Sequence, residues 1–276
     1  MILQKIVFPE NPEMEKSLYY RGNFAEAFAE DGTFILAPQE IFDLNTYFKS
    51  FFAGKGRKYT RVEHLDFTLD FCGHISMAVY HKKMFRETVV SRMIQRVELK
   101  SDSRIIQRFS LGKLPKDGII GIILTSKQDG TMIYDGYYGT QDDLKPADIN
   151  IGIGICTFKR EEYVKRNIDL LRSHILDNEK ALSYGHYKVC ISDNAQTLNA
   201  EELSHPSIRL VPNKNLGGVG GFTRAMMEHL NSGEMFTHIL LMDDDAMISS
   251  ASLERNYTFL TLLKPEYKDY VLGGAL

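Results

Sequence analysis

Hydrophobic and polar positions change their rhythm near residue 145. Before it, Leu65, Phe67, Leu69 and Phe71 interleave with Asp66, Thr68 and Asp70, the period-two pattern of a half-buried strand. Short apolar runs follow at 75–80, 105–111, 119–125 and 131–134, separated by Pro115, Gly118, Asp129-Gly130 and Asp135-Gly136. Asp129-Gly130 between two such runs predicts a hairpin. Strands at this spacing predict an antiparallel β-sandwich over residues 1–145. Residues 41–52, crowded with Phe42, Tyr47, Phe48, Phe51 and Phe52, are expected as a short helix or an aromatic loop.

A polar stretch with Pro146 closes this half, and from residue 149 to 276 strand and helix alternate. Residues 149–158 read as a strand buried on both faces, 162–176 as a helix on Val164, Ile168, Leu171 and Ile175. Strands are expected at 187–192, 208–211 and 237–242, and helices at 222–230 and 253–263. Alternation of this kind predicts a mostly parallel sheet whose ligands sit at the carboxyl ends of the strands.

Composition adds exclusions. Of 276 residues, 43% are apolar and 25% charged, an ordinary globular mix with room for two domains. A net charge of −3 gives no electrostatic case for a nucleic-acid partner. Three cysteines without a CxxC pair suit a reducing cytoplasm. No apolar run reaches the length of a membrane span.

Candidate chemistry clusters at the predicted strand ends. Thr157 and Arg160 either hold an anion at the following helix or serve as cap and surface charge. Asp193, followed by Asn194, either accepts from a nucleoside or builds a turn. The run Asn215-Leu216-Gly217-Gly218-Val219-Gly220-Gly221 lets backbone approach a ligand, or is a flexible loop. It is neither a dinucleotide fingerprint nor a P-loop. Asp243, Asp244 and Asp245 end an apolar strand, where three adjacent carboxylates suit a divalent ion, or else form a solvated turn before the next helix.

Taken together, Thr157-Phe158-Lys159-Arg160, Asp193, Asn215-x-Gly217-Gly218 and the Asp243-Asp244-Asp245 triplet resemble the family-two glycosyltransferases of the GT-A fold. With a β-rich domain in front and Asn45-Thr46-Tyr47-Phe48 within it, the sequence looks most like bacterial galactofuranosyltransferases. The resemblance implies a Rossmann-like nucleotide-sugar domain over residues 149–276, a UDP-galactofuranose donor and a Mn or Mg ion. It also implies a saccharide or lipid-linked glycan acceptor, and inverting transfer that extends a cell-surface polysaccharide. It places the metal on Asp243 and Asp245 and the donor sugar against Asp244. The nucleotide falls to Thr157, Arg160, Asp193, Asn194, Asn215, Gly217 and Gly218.

The family's general base lies beyond the position of Leu276, so the chain is expected to be a donor-binding fragment ending in a core strand at 271–276, without full turnover. A cytoplasmic protein at the inner face of the plasma membrane, forming a homo-oligomer, is the setting that goes with this resemblance. Two other classes stay open: a carbohydrate-binding or oligomer-assembly module with a non-catalytic nucleotide half, and a nucleotidyltransferase. In the module, Tyr19, Tyr20, Tyr137 or Tyr138 would stack on sugars.

Overall fold

A computed structural model describes residues 1–6, 16–22 and 33–273. The chain divides into two units: Met1–Lys145 with Leu262–Asp269, and Pro146–Thr261 with Tyr270–Leu276. The return of Leu262–Asp269 to the first unit has no counterpart in the sequence reading, which ends that unit at residue 145.

The strand-rich unit holds β1 (Ile2–Lys5), β2 (Arg21–Gly22), β3 (Phe34–Leu36), β4 (Ile41–Asp43), helix α1 (Ala53–Tyr59), β5 (His64–Phe85), β6 (Thr88–Lys113), β7 (Ile119–Ser126) and β8 (Thr131–Gly139). All eight strands join one antiparallel sheet around one core, the form taken by the expected β-sandwich domain. Strand β5 organises it. One edge pairs with β6 along its length, and the other carries β8 against Asp66–Cys72 and then β7 against Ile75–Lys82. Strands β7 and β8 therefore run in the same direction, end to end along β5. Asp129-Gly130 does not reverse the chain as a hairpin would. It makes a jog, stitched by Ser126 Oγ donating to Thr131 Oγ1 at 2.9 Å. The aromatic run at 41–52 supplies β4, and the helix begins only at Ala53.

The odd-numbered side chains of β5 from Leu65 to Val79, apart from Gly73, enter the core with Phe34, Phe42, Ile122, Leu124 and Tyr138. Leu262 lies in the same core. Around it, Thr60 bridges to Leu263, and Lys264 Nζ donates to the carbonyls of Arg57 and Lys58, which end α1.

The second unit contains β9 (Ile151–Thr157), α2 (Glu161–Leu171), β10 (Tyr187–Asp193), β11 (Ile208–Pro212), α3 (Gly217–Leu230), β12 (His238–Asp243) and α4 (Ser250–Thr261). Its strands form a parallel sheet in the order β11-β10-β9-β12. Strand dominates the chain as a whole, and this sheet has only four short strands. The expectation of a GT-A nucleotide-sugar domain is corrected on this ground: strand–helix alternation reports βα units, which any parallel layer shares, and it specifies no family. Strand β12, the apolar strand before the acidic triplet, is mostly not buried. It lies at the sheet edge, with Leu241 exposed. Of the terminal run, Val271 and Leu272 are exposed and form no strand, and residues 274–276 lie outside the described residues.

Helix α3 begins at Gly217, five residues before the predicted start, because packing overrides glycine's poor helix propensity. A Cβ on Gly221 would lie 2.1 Å from Cys156 Sγ, so only glycine lets α3 press onto β9. At the other end of the helix, His229 Nε2 donates to the Ile153 carbonyl at 3.0 Å and its ring meets Phe236 edge-on. Burial pushes the His229 pKa below its usual 6.5, and that of His238 likewise. The folded state thus favours the neutral imidazoles, while the unfolded chain takes up protons below pH 6.5. Their stabilisation is present above that pH and is lost as pH falls through it toward the lowered folded values. Denaturant midpoints measured across this range should fall with pH, and the slope should be shallower in His229→Gln.

Candidate functional site

The carboxyl ends of β9, β10 and β12 bring most of the predicted residues together, but in roles internal to the fold. Thr157 Oγ1 donates to Asp244 Oδ2 at 2.7 Å. Arg160 Nη1 reaches Asp244 Oδ1 at 3.4 Å and hydrogen-bonds Asp245 Oδ2. Asn167, which the sequence reading missed, donates from α2 to the carbonyls of Asp244 and Ala246 at 2.8 and 2.9 Å. Asp244 is buried, whereas Asp243 and Asp245 are exposed. The carboxylates of Asp244 and Asp245 are thus answered by a guanidinium and a hydroxyl. Among the described residues, no group of three or more His, Cys, Asp or Glu is arranged to hold a metal ion. Cys156, beside them, has its thiol pKa raised by burial and then by the negative charge of Asp244 and Asp243.

Asp193 is fully committed. Its Oδ1 accepts from the main-chain N–H groups of Ala195 and Gln196, and its Oδ2 from those of Thr197 and Leu198, all at 2.8–2.9 Å. One carboxylate so ties down the whole turn after β10. Asn194 accepts from Asn213 Nδ2 at 2.8 Å and donates to the Gly217 carbonyl at 3.2 Å, joining that turn to the start of α3. Asn215 Oδ1 accepts from Gly217 N–H at 3.2 Å, a local turn that starts the helix. Gly217 and Gly218 form the first turn of α3.

A second constellation lies on the strand-rich unit, in a cleft of about 110 Å³ over four neighbouring strands. The register builds its floor. Gly139 of β8 stands between Ile2 of β1 and Asp66 of β5, and Thr68 stands between Tyr137 of β8 and Arg108 of β6. Gly139 has no side chain to fill the dip, and Tyr137, Arg108 and Gln141 wall it.

Asp66 is 6% exposed and Thr68 3%. Asp66 Oδ2 and Thr68 Oγ1 nevertheless have no hydrogen-bond partner among the described residues. Arg108 Nε stays 3.8 Å from Asp66 Oδ2, beyond hydrogen-bond reach. Four residues along β5, the same type of pair is closed. Asp70 receives Arg104 through Nε at 3.0 Å and Nη2 at 2.7 Å, and that guanidinium lies over the Tyr134 ring. A buried carboxylate oxygen and a buried hydroxyl without partners are costly, and Asp66 and Thr68 both line the cleft.

In the sequence these residues appear only as the polar half of an alternation. The available signal was that Asp66, Thr68 and Asp70 follow one another on the back of a strand whose front is Leu and Phe. Of the tyrosines weighed for sugar stacking, Tyr19, Tyr20 and Tyr138 are core residues, and Tyr137 alone reaches the cleft.

No family model matches the sequence, and no curated protein does. Similar solved structures include the CBM22-1–GH10 modules of the Clostridium thermocellum xylanase Xyn10B complexed with xylohexaose. That match has 10% identity and a TM-score of 0.28, and covers 63% of this chain and 34% of that one. TmCBM61 in complex with β-1,4-galactotriose matches at 14% identity and a TM-score of 0.24, over 40% of this chain and 69% of that one. A family two carbohydrate esterase from Cellvibrio japonicus matches at 12% identity and a TM-score of 0.26, over 87% and 93%. This chain thus spans about a third of the xylanase chain.

Likeness at this level assigns no family. The resemblance to galactofuranosyltransferases is corrected here, and with it the UDP-sugar transfer reading. The short motifs that carried the resemblance are taken up by turns, hydrogen bonds within the fold and ion pairs.

Proposed function

We propose that this chain is a saccharide-binding protein whose ligand sits in the Asp66–Arg108 cleft. The observation that carries it is the contrast between two cross-strand pairs on one face, Asp70–Arg104 closed and Asp66–Arg108 left open with two buried polar atoms unanswered. A sugar hydroxyl can donate to Asp66 Oδ2 while a neighbouring hydroxyl exchanges a hydrogen bond with Thr68 Oγ1. Arg108 then donates to a ring or hydroxyl oxygen, and Tyr137 offers an aromatic surface to the sugar's C–H groups. The xylohexaose and β-1,4-galactotriose named with the similar structures, and cellohexaose, named with another esterase, are reasonable first probes.

The test is a glycan array that includes these three oligosaccharides, followed by titration calorimetry of whatever is retained. Asp66→Ala is expected to weaken binding at least tenfold and Thr68→Ala several-fold. Because Asp66 is buried without a hydrogen-bond donor to Oδ2, Asp66→Ala should also melt no lower than the native chain, with a gain of about 1 kcal/mol. An array that retains no glycan, or a retained glycan bound equally by Asp66→Ala, overturns the proposal.

A further inference from the structure

Strands β5 and β6 extend beyond the ends of their neighbours, since β7 pairs with β5 only as far as Lys82. The remaining ribbon closes at Arg86 and Glu87, whose positive φ values of 45° and 66° make a tight two-residue turn. Met84 is 66% and Phe85 58% exposed, and Val89, Val90, Met93 and Ile94 are exposed behind them. Alternation along each strand puts Met84 and its partner Val89 on one face of the ribbon, and Phe85 and Val90 on the other. The first two rungs, Phe85 with Thr88 and Met84 with Val89, carry no charge. Behind them come Lys83, Lys82 and Arg92 on the next three rungs. Asp117 pairs with Lys83 at 3.3 Å, and within residues 82–92 Glu87 is the one acidic residue beside Lys82, Arg86 and Arg92, although the chain as a whole carries −3.

We propose that this arm docks on an anionic lipid surface. An apolar tip with side chains on both faces is not covered by a protein groove, which shields one face, whereas lipid surrounds both at once. Two copies meeting at the tip would bring their basic collars together. Two uncharged rungs are about 7 Å long. That matches the roughly 5–10 Å depth to which interfacial segments enter the boundary between headgroups and acyl chains. The collar then lies level with lipid phosphates, where each Lys or Arg strengthens binding about fivefold. Arg86, in the turn itself, folds back over the Phe85 ring, 5.4 Å from its centroid. No helix among the described residues is long and apolar enough to cross a membrane, so the contact is one of surface docking. It is independent of the saccharide proposal.

The chain has no tryptophan, so Phe85→Trp provides a single fluorescent reporter at the tip. With vesicles of phosphatidylcholine and phosphatidylglycerol in roughly equal parts, its emission should shift to the blue and the native protein should co-sediment. With phosphatidylcholine alone, binding should fall at least tenfold, and added salt should weaken it. Met84→Ser with Phe85→Ser, and separately Lys82→Glu with Arg92→Glu, should each lower sedimentation at least tenfold while melting as the native chain does. Reporter emission unmoved by the mixed vesicles, or arm variants that sediment like the native protein, would falsify the proposal. A native dimer that Met84→Ser with Phe85→Ser dissociates would equally overturn it, assigning the tip to a second copy.

Discussion

Replacing Phe67 by alanine should destabilise the strand-rich unit by about 4 kcal/mol. Phe67 is fully buried near the start of β5, beside Phe109 of β6 and with its ring 5.2 Å from that of Tyr138. Strands β6 and β8 flank it on either side, so no single element can move inward to fill the space. The cost therefore includes the cavity as well as the lost transfer free energy. Urea denaturation followed by tyrosine fluorescence measures it. A loss below about 1 kcal/mol would mean that the site collapses freely, contrary to its place between paired strands.

The second large effect is expected at Asp193. Asp193→Ala removes the acceptor for four main-chain N–H groups at once, and should cost the parallel unit about 3 kcal/mol. Asp193→Asn keeps one acceptor oxygen and should fall between the two. The residue was first weighed as a nucleoside contact or a turn builder, and this measurement separates those roles. A carboxylate kept for a ligand would leave stability unchanged when removed, whereas one that holds the turn lowers it in the absence of any ligand.

Legibility in the sequence followed burial. Strands with one face in the core, such as the first half of β5, announce themselves by alternation, and β9 and β10 by unbroken apolar runs. The start of β6 gives no such signal because both of its faces are exposed from Thr88 to Ile94, and its first buried side chain is Leu99. The start of α3 was hidden for the opposite reason. Its glycines look like a loop until the close approach of Gly221 to Cys156 shows what they permit.

The predicted site misled because short motifs are ambiguous between ligand and fold. Thr157, Arg160, Asp193, Asn194 and Asn215 are all polar residues at strand ends or turns, where backbone groups and neighbouring carboxylates also need partners. The cleft escaped notice because Asp66 and Thr68 differ from ordinary solvent-facing positions only in being buried, and burial on the back of a strand depends on β6 and β8.

The core of the strand-rich unit takes Leu262 from a segment separated from Lys145 by the entire parallel layer. Synthesis on the ribosome proceeds from the amino end, so every strand of the eight-stranded sheet emerges before the leucine that completes its core. The strand-rich unit thus waits for its last core residue until the helices and strands of the parallel layer have been made. Until residues 262–269 are translated, the exit from α1 lacks its lysine cap, and a nascent chain is open there to chaperones and proteases.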